Sequence, residues 1–152
     1  MKKQFVLIVV AVLFATGVMA QEVDGLIKIK SMHSVTETLD RLENIVKKKG
    51  ITVAVRWNHS AKAEKIGIPM RDTQLLIFGN PKLGSHLMTA EQTAAIDLPL
   101  KAIAWKDANG QVWLAYNDPA YIARRHHITD RDEVLKKMSN ALAAMTAKAA
   151  GK

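Results

Sequence analysis

The apolar positions of this chain change period several times, and each change marks an expected element. Residues 26–32 alternate Ile27 and Ile29 with Lys28 and Lys30, the two-residue period of a half-exposed strand. The period then lengthens, and Val35, Leu39, Leu42 and Val46 form one helical stripe joined by Thr38 and Ile45. Ser34-Val35-Thr36-Glu37 opens this helix as a capping box, with the serine oxygen taking the Glu37 amide. Gly50 ends it, because a left-handed residue after a helix costs glycine least. Period two returns at Ile51, Val53, Val55 and Trp57, which are expected to share one face of a second strand. A short helix is expected from near Ser60 to Gly67, and residues 74–78 read as a buried third strand that Gly79-Asn80-Pro81 breaks.

Residues 100–106 and 111–116 make the clearest hairpin, joined by Asp107-Ala108-Asn109-Gly110, which suits a type I turn with a glycine bulge. That turn places Trp105 across from Trp113 and Ile103 across from Ala115. Ala102, Ala104, Val112 and Leu114 line the other face, so both faces want cover: one from helices, the other from a partner, a ligand or another segment. Asp118-Pro119 starts a further short helix. Thr129-Asp130-Arg131-Asp132 is expected to cap a last helix carrying Leu135, Met138, Leu142 and Met145, and the tail after Ala147 is expected to fray. The class is α+β, an antiparallel sheet backed by helices.

The segment ahead of this domain has another character. Lys2 and Lys3 precede an unbroken apolar run over residues 5–14, and small residues follow, with Val18 and Ala20 at the −3 and −1 positions of a cleavage site. Residues 5–20 fall short of the ~20 that a spanning helix needs, so residues 1–20 read as a secretory signal peptide rather than a stable membrane anchor. The expected organisation is a signal at 1–20, an α+β domain at 21–128, and a C-terminal amphipathic helix with a frayed tail at 129–152. The mature protein is expected to be periplasmic or secreted. Losing the two signal lysines lowers the formal charge from +8 to +6. For an exported protein that charge points to anionic envelope components rather than nucleic acid, since no basic stripe is interleaved with aromatics. The absence of cysteine excludes disulfides, thiolate metal sites, covalent haem attachment and cysteine nucleophiles.

Candidate chemistry is sparse. Of the histidines 33, 59, 86, 126 and 127, none forms a paired helical metal motif, and no metal or cofactor is expected. His59 lies at a strand-to-helix junction, where functional groups gather, though a backbone-bonded role is the blander reading. Arg124-Arg125-His126-His127 reads first as a solvated helix end facing the dipole, and second as an anion or headgroup site. The frame Gly79-x-x-x-x-Gly84 fails as a phosphate loop, because Ser85 stands where its lysine should be and Pro81 removes an amide. Asp97, set between Ile96 and Leu98-Pro99-Leu100, is the carboxylate most prone to burial, as a capped turn or as a general base. No nucleophile elbow or triad spacing is present.

Phe78-Gly79-Asn80-Pro81, Asp97-Leu98-Pro99-Leu100-Lys101, Trp105 with Asp107, Gly110 and Val112, and Tyr116-Asn117-Asp118-Pro119 together resemble the "domain of unknown function 302" family. Ser34, Thr38, Leu39, Leu42 and Gly50, and then Asn58-His59-Ser60-Ala61 with Ala63 and Gly67, extend the likeness over residues 27–127, with the last helix outside it. The resemblance implies a TATA-binding-protein-like α+β fold and a homodimer, without implying DNA binding. It raises His59, Asn80, Asp97, Arg125 and His126 as pattern positions but carries no known activity. The preferred reading is a homodimeric module binding a small ligand, an ion or a partner, with Trp105 and Trp113 on its binding face. The alternative is a small hydrolase or isomerase using His59 with Asp97 or His126 as an acid–base pair, with or without a His/carboxylate-bound metal.

Overall fold

The computed structural model describes residues 23–152, and the expected signal peptide lies outside the described residues. Five antiparallel strands form one sheet: β1 (Leu26–Lys30), β2 (Thr52–Asn58), β3 (Thr73–Gly79), β4 (Leu100–Lys106) and β5 (Val112–Asn117), in the order β1-β5-β4-β3-β2. The helices are α1 (Val35–Lys48), α2 (His59–Glu64), α3 (Pro81–Ala90), α4 (Pro119–Arg125) and α5 (Asp132–Ala149), with a 3-10 turn at Gln92–Ile96.

α1 forms where its stripe demands. Ser34 Oγ accepts the Glu37 amide at 3.1 Å, and Val35, Leu39, Leu42 and Val46 are fully buried. Burying each of the two leucines contributes roughly 1.5–3 kcal/mol. They pack with Leu142, Met145 and Ala149 of α5 onto Leu76, Phe78, Ala102, Ala104 and Leu114 of the sheet. The face of Ala102, Ala104, Val112 and Leu114 is thus the one the helices cover. A second cluster at the end of the sheet gathers Leu87, Ala94, Ala123, Ile128 and Met138. α5 is integral to both clusters.

The β4–β5 hairpin has the expected register, with Trp105 opposite Trp113 and Ile103 opposite Ala115. Gly110 takes φ +81° in its turn, a left-handed conformation that favours glycine. β2 differs from expectation. Its register slips between Val53 and Val55, so Val53 lies opposite Phe78 and Val55 opposite Ile77. This bulge sends Val53 to the helix side and leaves Val55 and Trp57 on the open side; the four residues do not share a face.

Three further expectations need correction. Asn80-Pro81 does not merely break β3. It starts α3, with Asn80 Oδ1 accepting the Lys82 amide at 3.0 Å and Pro81 in the first turn. α5 begins after Arg131 with no side-chain cap bond, in place of the expected Thr129–Asp132 cap. The tail after Ala147 does not fray as expected: Ala149 and Ala150 are fully buried, and the Met32 amide donates to the Ala150 carbonyl at 3.0 Å.

Candidate functional site

Asp97 closes the 3-10 turn before β4, and His126 closes α4; folding brings the two together across 29 residues. His126 Nε2 donates to Asp97 Oδ2 at 2.7 Å, while its Nδ1 lies 2.9 Å from Thr93 Oγ1. Arg125 Nη1 donates to the other carboxylate oxygen at 3.2 Å. The side chains of His126 and Asp97 are only 6% and 10% exposed. Held at both ring nitrogens and buried, His126 ties α4 to the turn before β4. The reading of 124–127 as a solvated helix end is therefore wrong for His126, which is buried, though Arg124 at that end is exposed.

His59 does not join this pair. Asn58, its neighbour, aligns through Gln74 with Ala104, whereas Asp97 precedes Leu100; four strand residues set them roughly 13 Å apart along the sheet. Among the described residues no three His or carboxylate side chains converge as metal ligands. A polar network that sequence inspection missed lies on the helix-covered side. Arg56 Nη2 donates to Gln74 Oε1 at 2.8 Å, and its Nη1 reaches Asp40 and Glu43. Gln74 Nε2 donates to Thr36 Oγ1 at 2.8 Å, tying β2 and β3 to α1.

Among the described residues, no helix covers the opposite face of the sheet. Its rows are Trp57-Leu75-Ile103-Ala115-Lys28, Trp105 and Trp113 beside Thr73 and Lys30, and Val55-Ile77-Lys101. No carboxylate stands on these strand positions. Trp57 and Val55 are 44% and 40% exposed. Trp105 and Trp113 stack with centroids 6.4 Å apart, and Lys28 and Lys30 lie 5.9 and 5.5 Å from the Trp113 ring. At the other edge Lys62 lies 4.8 Å from Trp57.

Trp113 Nε1 donates to Asp107 Oδ2 at 2.8 Å, while Asp107 Oδ1 accepts the Asn109 and Gln111 amides. The indole bond first, and the two amide bonds with it, hold the Asp107 carboxyl below its ordinary value. A lowered carboxylate pKa stabilises above the unfolded value and loses that contribution as pH falls through the folded one. The coupled-tryptophan band in the circular dichroism spectrum should therefore hold steady from neutral pH down to about pH 4 and weaken only below it. Asp107→Asn should weaken that band at neutral pH.

A cleft of about 390 Å³ opens where α3 and α5 meet the end of the sheet. Leu83, Met88, Leu98, Met138, Ala141 and Met145 supply much of its wall. Thr52, Asn80 and Ser85 are its polar side chains, and among the described residues no charged one lines it. Of the seven candidates from the sequence, only Asn80 borders this cleft; Asp97 and His126 do not.

The family model for "Domain of unknown function DUF302" matches residues 27–145. The chain belongs to the DUF302 family. The match takes in most of α5, which the sequence resemblance had left outside. A DUF302 structure from Bacillus stearothermophilus, described as an uncharacterized conserved protein, superposes with a TM-score of 0.75 at 18% identity. It covers 84% of this chain and 99% of that one, which establishes the shared fold. Curated relatives carry more identity. Proteins named fluoride-specific ion channel FluC 1 from Brucella suis and Brucella abortus are each 42% identical over 135 residues, or 88% of this chain. The DUF302 chain spans about half the length of these relatives, 53% and 50%.

Proposed function

We propose that this DUF302 chain is an exported, non-catalytic binding module that works as a homodimer, two copies closing their open sheet faces on each other. The observation that carries this reading is the uncovered apolar face with Trp57, Trp105 and Trp113. Leu75, Ile77, Ile103 and Val55 fill its middle, while Lys28, Lys30 and Lys62 lie toward its edges. An apolar centre with a polar rim is the anatomy of a protein interface, and two sheets can pack face to face about 10 Å apart. The burial of Asp97 and His126, away from the cleft, supports a structural role for the pair over acid–base catalysis. The order of basic, apolar and small residues over 1–20 supports export.

Sedimentation equilibrium of residues 21–152 tests the dimer. A two-fold mass is expected, and Ile103→Asp, which puts a carboxylate at the centre of the face, should yield a folded monomer. A wild-type monomer at all concentrations would refute it. N-terminal sequencing of periplasmic protein should begin at Gln21.

The relatives favour a companion reading. They are named as fluoride channels, this chain matches about half of each, and no helix among the described residues is long and apolar enough to cross a membrane. We infer that the pore of those relatives belongs to their other half, and that the DUF302 half serves beside a membrane ion pathway. Fluoride efflux from proteoliposomes holding a Brucella relative, with and without its matched half, checks this; efflux should persist without it at an altered rate.

A further inference from the structure

We propose that the cleft between α3, α5 and the sheet end is a binding site for a small, largely hydrocarbon molecule bearing a neutral hydrogen-bonding group. This rests on the binding-module reading above, but not on dimerisation. The volume of about 390 Å³ falls within the range of ligand pockets. A dry apolar cavity of about 150 Å³ holds benzene, so this one accommodates on the order of fifteen non-hydrogen atoms. With no charged side chain in the wall, an ionised group inside would lose its hydration without a partner. Thr52, Asn80 and Ser85 offer neutral partners instead. Asn80 commits its carbonyl oxygen to the α3 cap, so its amide group is what it can present to a ligand.

The cleft is not a loosely packed core. Phe78, Leu142 and Met145 in its wall are themselves buried at 3% exposure or less, and Leu87 of α3 is fully buried. Met88, Met138 and Met145 give the wall unbranched, adaptable side chains, as promiscuous apolar sites do. Gly84 is the telling residue. It sits inside α3, where glycine is a poor helix former, and it has no positive φ to require it. A Cβ there would meet only Leu98 Cδ1, at an ordinary 3.7 Å. Packing does not demand glycine at this position, and its missing side chain keeps the wall set back.

Isothermal calorimetry and thermal melts of residues 21–152 with hexanol, decanol and tetradecanol test the site. Decanol should bind best and raise Tm by several degrees. Gly84→Leu, a better helix former projecting from the cleft wall, should keep or raise the unliganded Tm while weakening decanol binding about tenfold or more. Ala141→Phe fills the cleft from the opposite wall and should act alike. Absence of binding by all three alcohols, or equal binding by wild type and both filled variants, would overturn the proposal. Decanol binding that vanishes in Ile103→Asp but survives both filled variants would place the ligand on the sheet face and overturn it too. A monomeric wild type that still binds decanol in the cleft would fail the dimer and uphold this site.

Discussion

Truncation after Asp130 is expected to abolish cooperative folding. The deleted α5 supplies Leu142, Met145 and Ala149 to the main cluster and Met138 to the second, all 4% exposed or less. Each large apolar side chain contributes roughly 1.5–3 kcal/mol by burial, and removing the helix also bares Leu39 and Leu42 beneath it. The sum approaches or exceeds the 5–15 kcal/mol typical of a domain. Arg41 would also lose the Lys148 and Ala149 carbonyls that it now caps from α1. The truncated chain should melt without a cooperative transition or accumulate as aggregate. Leu142→Ala is the graded version and should cost about 2–5 kcal/mol by denaturant unfolding, with a cavity left behind. A truncated chain melting cooperatively near the wild-type Tm would contradict the integral role given to α5.

Asp97→Ala should be the most damaging single polar substitution. It leaves His126 Nε2 buried without its acceptor and removes the partner of Arg125. Breaking a buried hydrogen-bonded pair costs on the order of 3–5 kcal/mol, because the surviving polar group is stranded. Arg125 adds little, being 49% exposed, and its share should not exceed about 1 kcal/mol. The double variant Asp97→Leu/His126→Leu should recover part of the loss, since no orphaned group remains. Chemical denaturation of Asp97→Leu, His126→Leu and the double variant completes a cycle that measures the coupling. Stability of Asp97→Ala within about 0.5 kcal/mol of wild type would contradict the clamp.

The sequence carried much of this fold because several local signals had no competitor. Asp107-Ala108-Asn109-Gly110 sets its own turn geometry, and that turn alone fixes which residues face each other across β4 and β5. Ser34 and Glu37 likewise determine where α1 begins. The bulge in β2 left no such mark: one residue is taken up at Ala54 without a glycine or proline to announce it, and half the strand changes sides. Asn80-Pro81 did carry a signal for α3, an N-cap asparagine before a first-turn proline, but the glycines around it resemble a loop. The site was harder to read. Asp97 and His126 meet only through tertiary folding, and Thr93 enters because the 3-10 turn carries it there. The cleft arises from what α3, α5 and the sheet end fail to fill, which no linear pattern encodes.

Tryptophan emission reports directly on whether a second copy covers the sheet, because Trp57, Trp105 and Trp113 are the chain's only three and all stand on the open face. The dimer predicts a blue-shifted, poorly quenched emission at high concentration. Dilution should shift it to the red with rising acrylamide access, toward the spectrum of Ile103→Asp. An emission and quenching constant independent of concentration and identical in that variant would show that no second copy covers the face.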